Sequence, residues 1–164
     1  MIKTGYVVNE MIAYYEGDPR RIQHFLKVYG FAKAIGEVEG LPSDLQEILE
    51  VAAIVHDIGI KVSEEKYNSS AGEYQQLEGP PIAKELLTRL GYGEELVDRV
   101  CYLIAHHHTY KDMDGLDYQI LVEADFLVNI SEDGMASSAI KSIKEKIFRT
   151  STGLKFINNL YPEK

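Results

Sequence analysis

The sequence predicts an all-α fold, a single-domain helical bundle of about eight helices. Three observations predict it. Apolar residues recur at intervals of three and four along most of the chain, the spacing of one helix face. No stretch alternates apolar and polar residues as a half-buried strand does. Glycine, proline and aspartate stand where the apolar stripes stop, as helix boundaries require. At 164 residues the chain matches the size of one domain and is long enough to bury a sizeable core. No repeat or low-complexity linker divides it, so residues 1–164 are read as one unit.

The elements follow in order. A first short helix is expected over residues 8–16. Gly17-Asp18-Pro19 ends it and starts the next, with Asp18 as cap and Pro19 in the first turn. That second helix carries Ile22, Phe25, Val28, Tyr29 and Ala32 as far as Gly36. Pro42-Ser43-Asp44 opens a third, with Leu45, Ile48, Leu49, Ala52 and Val55 inward until Gly59. Residues 61–78 are polar, with Asn68-Ser69-Ser70-Ala71-Gly72 at their centre. They read as a long connection, of the kind that often serves as a lid. Gly79-Pro80-Pro81 starts a helix that closes at Gly91. Further helices are expected over 94–108, 118–132, through Ile140, Ile143 and Ile147, and over 153–160.

Composition narrows the classes of function. Seventeen basic against twenty-six acidic side chains leave a net charge of −9, which opposes a broad nucleic-acid or anionic-membrane surface. The one cysteine, Cys101, has no partner for an intrachain disulfide. The longest apolar run, residues 100–105, falls far short of the ~20 residues of a membrane span. The opening residues lack a signal-peptide pattern. A soluble cytoplasmic protein is the expectation. Residues 112–117 have a calcium-loop look, but the glycine comes too early and the twelfth position lacks an acid. There is no phosphate-binding P-loop motif.

The chemistry is carried by histidines and acids on apolar faces. His56-Asp57 follows Val51-Ala52-Ala53-Ile54-Val55, and a carboxylate there is costly to desolvate without a partner. A capping Asp beside a core His is the plain structural explanation; a divalent cation is the chemical one. His24 shares its helix face with Val28 and Ala32, and Asp125 shares its face with Leu121 and Val128, so both point inward. In His106-His107-His108 successive side chains diverge by ~100°. His107 continues the line of Val100, Leu103 and Ile104, and His108 that of Cys101 and Ile104. His106 falls with Arg99 and Tyr102 on the wetter side, as a substrate contact or a surface residue.

Taken together, His24, His56-Asp57-Ile58-Gly59, His107 with His108, and Asp125 resemble the motif residues of the HD-domain superfamily of metal-dependent phosphohydrolases, over about residues 20–130. The resemblance implies that His24, His56, Asp57 and Asp125 hold a divalent metal. It further implies that Glu78, His107 and His108 add ligands for a second ion, with Asp57 bridging. Glu78 also reads as an acid favoured at a helix start. Asp57 and Lys61 are the implied catalytic residues, with Lys61 contacting a phosphate. Two ions from among Mn, Fe, Ni, Co, Zn and Mg are expected. The implied reaction is hydrolysis of a phosphate ester, of a nucleotide or another small phosphorylated metabolite, by metal-activated water. Two other readings fit the same ligand pattern: a di-iron oxygenase of the inositol-oxygenase type, and a non-catalytic metal-binding or sensing domain.

Overall fold

Nine helices and no strand make up the described residues, 2–163, of the computed structural model. α1 (Thr4–Tyr14) and α2 (Pro19–Glu39) are followed by α3 (Ser43–Val55). α3 is buried on every side from Leu49 to Val55, as a helix at the centre of a bundle must be. α1, α2, α6 (Glu94–His106) and α7 (Leu116–Glu132) pack around it. None of the described helices is long and apolar enough to cross a membrane.

The helix boundaries have local causes. The Asp18 carboxylate accepts the Arg21 N–H at 3.1 Å and caps α2, whose first residue is Pro19. Gly36 does not end α2. It lies inside the helix where a Cβ would run into Gln46 and Leu49 of α3, and α2 continues to a left-handed Gly40 at φ 77°.

Residues 61–78 are not a loop. They form α4 (Ile60–Tyr67) and the first two turns of α5 (Gly72–Arg89), joined through Asn68 at φ 52°. Pro80 and Pro81 therefore lie within α5 instead of starting it. The composition misleads because the inward positions here are small or polar. Ser63 is buried on α4, with its hydroxyl donating to the Gly59 carbonyl at 2.7 Å. Gln75 and Gly79 are buried on α5.

Glycine sets the spacing of these helices. A Cβ on Gly59 would lie 2.7 Å from the Gln75 carbonyl oxygen and 2.8 Å from the Gly79 nitrogen. Both are backbone atoms that no rotamer change can move. A Cβ on Gly79 would in turn meet Ile104 of α6 at 2.7 Å. The turn after α3, the middle of α5 and the end of α6 are thus held in direct contact.

At the other end of the chain, α8 (Ser137–Lys146) contributes no buried side chain. α9 (Ser151–Leu160) is docked by a buried carboxylate from the middle of α7. Glu123 accepts from Gln119 Nε2 and the Thr150 hydroxyl, each at 2.6 Å, and from the N–H groups of Arg149 and Thr150, each at 3.1 Å. The Thr150 hydroxyl oxygen accepts the Gly153 N–H and caps α9.

Gly59→Ala is expected to destabilise the protein by about 1–3 kcal/mol through enforced separation of α4 from α5. Urea unfolding of parent and variant measures this; an unchanged midpoint would show that the contact is not tight.

Candidate metal centre

Four segments of the bundle deliver the imidazoles and carboxylates to one place. His24 comes from the second turn of α2. His56 and Asp57 come from the turn after α3, His107 and His108 from the end of α6, and Asp125 from the middle of α7. His24 Nε2 lies 3.2 Å from both Asp57 Oδ2 and Asp125 Oδ1. His56 Nε2 lies 3.2 Å from Asp57 Oδ2, 3.4 Å from Asp125 Oδ1 and 3.3 Å from His24 Nε2. His107 Nε2 approaches the other Asp57 oxygen, Oδ1, at 3.4 Å.

The far side of each ring is already engaged. His56 Nδ1 is 2.7 Å from the Ala53 carbonyl, His107 Nδ1 is 2.8 Å from the Ile104 carbonyl, and His24 Nδ1 is 2.5 Å from Glu132. With Nδ1 donating, the Nε2 lone pairs turn toward the centre. His56 and His107 are 0 % and 1 % exposed, so their inward nitrogens have no water to fall back on. His107 Nε2 and Asp125 Oδ1 are buried without a hydrogen-bond partner. A buried polar atom left so needs an explanation, and a cation supplies one for both. His24, His56 and Asp57 form one set of convergent ligand atoms, and Asp57, His107 and His108 a second. Imidazole nitrogen with carboxylate oxygen is a donor set that divalent transition ions accept.

Electrostatics agree with the geometry. Burial opposes a charge on His24, but Asp125 and Asp57 outweigh it and raise its pKa to about 10. His56 is likewise raised, burial being overcome first by Asp57. Burial acts to raise both carboxylates, yet His56, His107 and His24 hold Asp57 well below the usual range. His24 and His56 do the same for Asp125. His108 goes the other way: burial, then the neighbouring His107, lowers it to about 4.

Neighbouring tyrosines fix the backbone that bears these side chains. Tyr15 donates to the Asp57 carbonyl at 2.7 Å and Tyr14 to the Ile58 carbonyl at 3.0 Å. Tyr118 Oη lies 2.6 Å from the His106 carbonyl and 2.5 Å from that of Thr109. Tyr14 and Tyr15 thus bond to the turn that carries Asp57.

Three residues with expected or open roles lie elsewhere. Glu78 is not brought to the cluster, because Lys66 at 3.2 Å and Tyr67 at 2.8 Å hold its carboxylate against α4. Gln75, one turn earlier, takes the inward position, with Oε1 3.3 Å from His108 Nε2. Lys61 is exposed, donates to the Tyr14 carbonyl at 3.4 Å and lies over the Tyr14 ring. It does not line the cavity. His106 turns outward and stacks on Tyr102.

A cavity of about 580 Å³ opens onto the cluster, lined by His24, Asp57, His108 and Asp125 and by Arg20, Arg21 and Glu132 among others. Its size suits a small molecule. Arg21 is paired with Glu64 and Asp18. Neither arginine nor Glu132 was singled out in the sequence. For Glu132 the signal was present, since it lies seven residues beyond Asp125 on the same helix face.

The HD-domain family matches the chain over residues 21–139, which takes in the whole motif region. Among solved structures, a predicted HD superfamily hydrolase from an uncultured Thermotogales bacterium matches with a TM-score of 0.68 at 24 % identity, covering 95 % of this chain and 83 % of that one. At that identity the likeness is one of fold. No curated protein matches the chain.

Coordination requires the lone pairs that His24 and His56 share with protons in the metal-free state. Binding of Mn or Zn near neutral pH is therefore expected to release protons, and affinity to fall as the pH is lowered. Calorimetry in two buffers of different ionisation enthalpy reads the proton count; no release on binding contradicts the assignment. Glu78→Gln and Lys61→Ala are expected to leave metal affinity at the parent level in the same titration.

Proposed function

This chain belongs to the HD-domain family, and from that premise we propose that it is a metal-dependent phosphohydrolase that cleaves a phosphate ester of a small metabolite. The observation that carries the reading is the placement of Asp57. One of its oxygens faces His24 and His56 and the other faces His107, an arrangement suited to two adjacent cations. His24, His56, Asp57 and Asp125 would hold one, and Asp57, His107 and His108 the other. Divalent ions there supply Lewis acidity, lowering the pKa of water toward neutrality and offsetting charge on phosphate oxygens.

The remaining steps fall to the protein. His56 and His107, fully enclosed, keep water away from the inner face of the cluster, while the cavity admits substrate from the side of His24, Asp57 and Asp125. Arg20 and Arg21, one turn before His24 on α2, also line the cavity, and a guanidinium there can meet a phosphoryl group. Arg21 is held rigid by Glu64 and Asp18. Burial, then the neighbouring His107, lowers the pKa of His108, which keeps its imidazole neutral as a ligand to the second cation must be. Attack of water on phosphorus forms one P–O bond and breaks the P–O bond to the alcohol, which leaves with one of the two protons of the water. The substrate in this reading is a nucleotide or another small phosphorylated metabolite, and both mono- and diesters satisfy the chemistry.

A panel of phosphate monoesters and diesters, tested with each of Mn, Co, Ni, Mg and Zn, decides the matter. Release of phosphate or alcohol is expected with at least one ion, and Asp57→Asn is expected to lower it by about two orders of magnitude or more. No turnover of any ester, or turnover unaffected by Asp57→Asn, would overturn the reading. Dioxygen consumption by iron-loaded protein, without ester cleavage, would favour an oxygenase instead. Lys61→Ala is expected to turn over like the parent, since its ammonium lies against Tyr14.

A further inference from the structure

We propose that Glu132 is a positioning residue of the metal centre, an anionic hydrogen-bond acceptor that fixes the ring of His24 and strengthens it as a ligand. The inference rests on the reading of His24 as a metal ligand. It begins from a difference among the three inward-facing imidazoles. His56 and His107 each direct Nδ1 at the carbonyl three residues back in their own helix, Ala53 and Ile104. Those partners are neutral, and any residue at those positions supplies them. His24 has no such local partner. Its Nδ1 lies 2.5 Å from Oε1 of Glu132, more than a hundred residues away in sequence.

The position of Glu132 is otherwise unfavourable. It is the last residue of α7, with Asp133 following as the C-cap. Two carboxylates there face the negative end of the helix dipole. Glu132 nevertheless turns inward, with its side chain 17 % exposed on the cavity wall. Its Oε1 meets His24, and its Oε2 lies 3.6 Å from the more exposed Lys27, one turn further along α2. α7 thus supplies two carboxylates to His24 from one face: Asp125 on the Nε2 side and Glu132 on the Nδ1 side.

The consequence for ligation is direct. With Nδ1–H donating to a carboxylate, the tautomer is set and Nε2 keeps its lone pair toward Asp57 and Asp125. An ionised acceptor also makes the ring a stronger donor to a cation than a carbonyl acceptor does. Among the three inward imidazoles, His24 borders the cavity whereas His56 and His107 are enclosed. It is therefore the one whose orientation packing alone secures least.

The test is Zn affinity of the full chain, measured by competition with a chromogenic chelator, for the parent and for Glu132→Ala, Glu132→Gln and His24→Ala. Glu132→Ala is expected to weaken binding by about 10–100-fold. Glu132→Gln keeps an acceptor oxygen at the same reach and is expected to recover part of the loss. Circular dichroism of each variant establishes that it is folded. Parent-like affinity in Glu132→Ala, with His24→Ala impaired, overturns the role of Glu132 and leaves the metal centre standing. Glutamine no better than alanine also overturns it, since the effect would then be one of net charge alone. Failure of the parent to bind Zn, or parent-like binding in His24→Ala, brings down the metal-centre reading and this inference with it.

Discussion

Asp57 is the point on which the rest of the structure depends. A carboxylate between three inward imidazoles is stable only if the rings reach it, and they come from α2, from the turn after α3 and from the end of α6. Charges so enclosed strongly oppose being left unpaired, so the helices that carry them have little freedom in spacing. The glycine contacts answer this demand. Gly59 lets the turn bearing His56 and Asp57 lie directly on α5, and Gly79 lets α5 lie on Ile104, next to the histidine run.

The same demand accounts for the tyrosines. A turn that leaves a buried helix exposes carbonyls with no helical partner, and the segments carrying the candidate ligands begin or end in such turns. Tyr14 and Tyr15 at the end of α1 donate to the carbonyls of Ile58 and Asp57, and the one hydroxyl proton of Tyr118 at the start of α7 is within reach of the carbonyls of both His106 and Thr109. α1 carries no candidate ligand, yet it holds the His-Asp turn in place from outside.

Much of this was legible in the sequence, for a physical reason. His24 and Asp125 stand on apolar helix faces, and a polar residue on such a face must meet its partner inside. The spacing that separates His107 and His108 from His106 follows from the same helical geometry. Glu78 and Lys61 were not legible, because both depend on the register of residues 60–80. There the inward stripe is Ser63, Gln75 and Gly79, residues that hydropathy assigns to loops. Two adjacent prolines, each lacking the N–H a helix uses, strengthened the misreading. In the structure they sit inside α5, and the turns before them face α4. Once α5 starts at Gly72, Gln75 takes the place nearest His108 and Glu78 turns to Lys66 and Tyr67. Glu132 was overlooked for another reason: it shares the helix face of Asp125, but acids at helix ends are common and most are solvated, which hid that signal.

Glu123 has a consequence for how such a chain diverges over time. One carboxylate in the middle of α7 gathers the backbone that leads into α9 and fixes where that helix begins. α8, strung between two anchored ends, fully buries no side chain and rests on the core through the partly buried Ile140 and Ile143. Outside those two positions its sequence can drift or acquire new surface chemistry with little disturbance to the ligand-bearing helices. Variation among descendants of this architecture should gather in that span, while the residue that pins its far end stays under strong constraint.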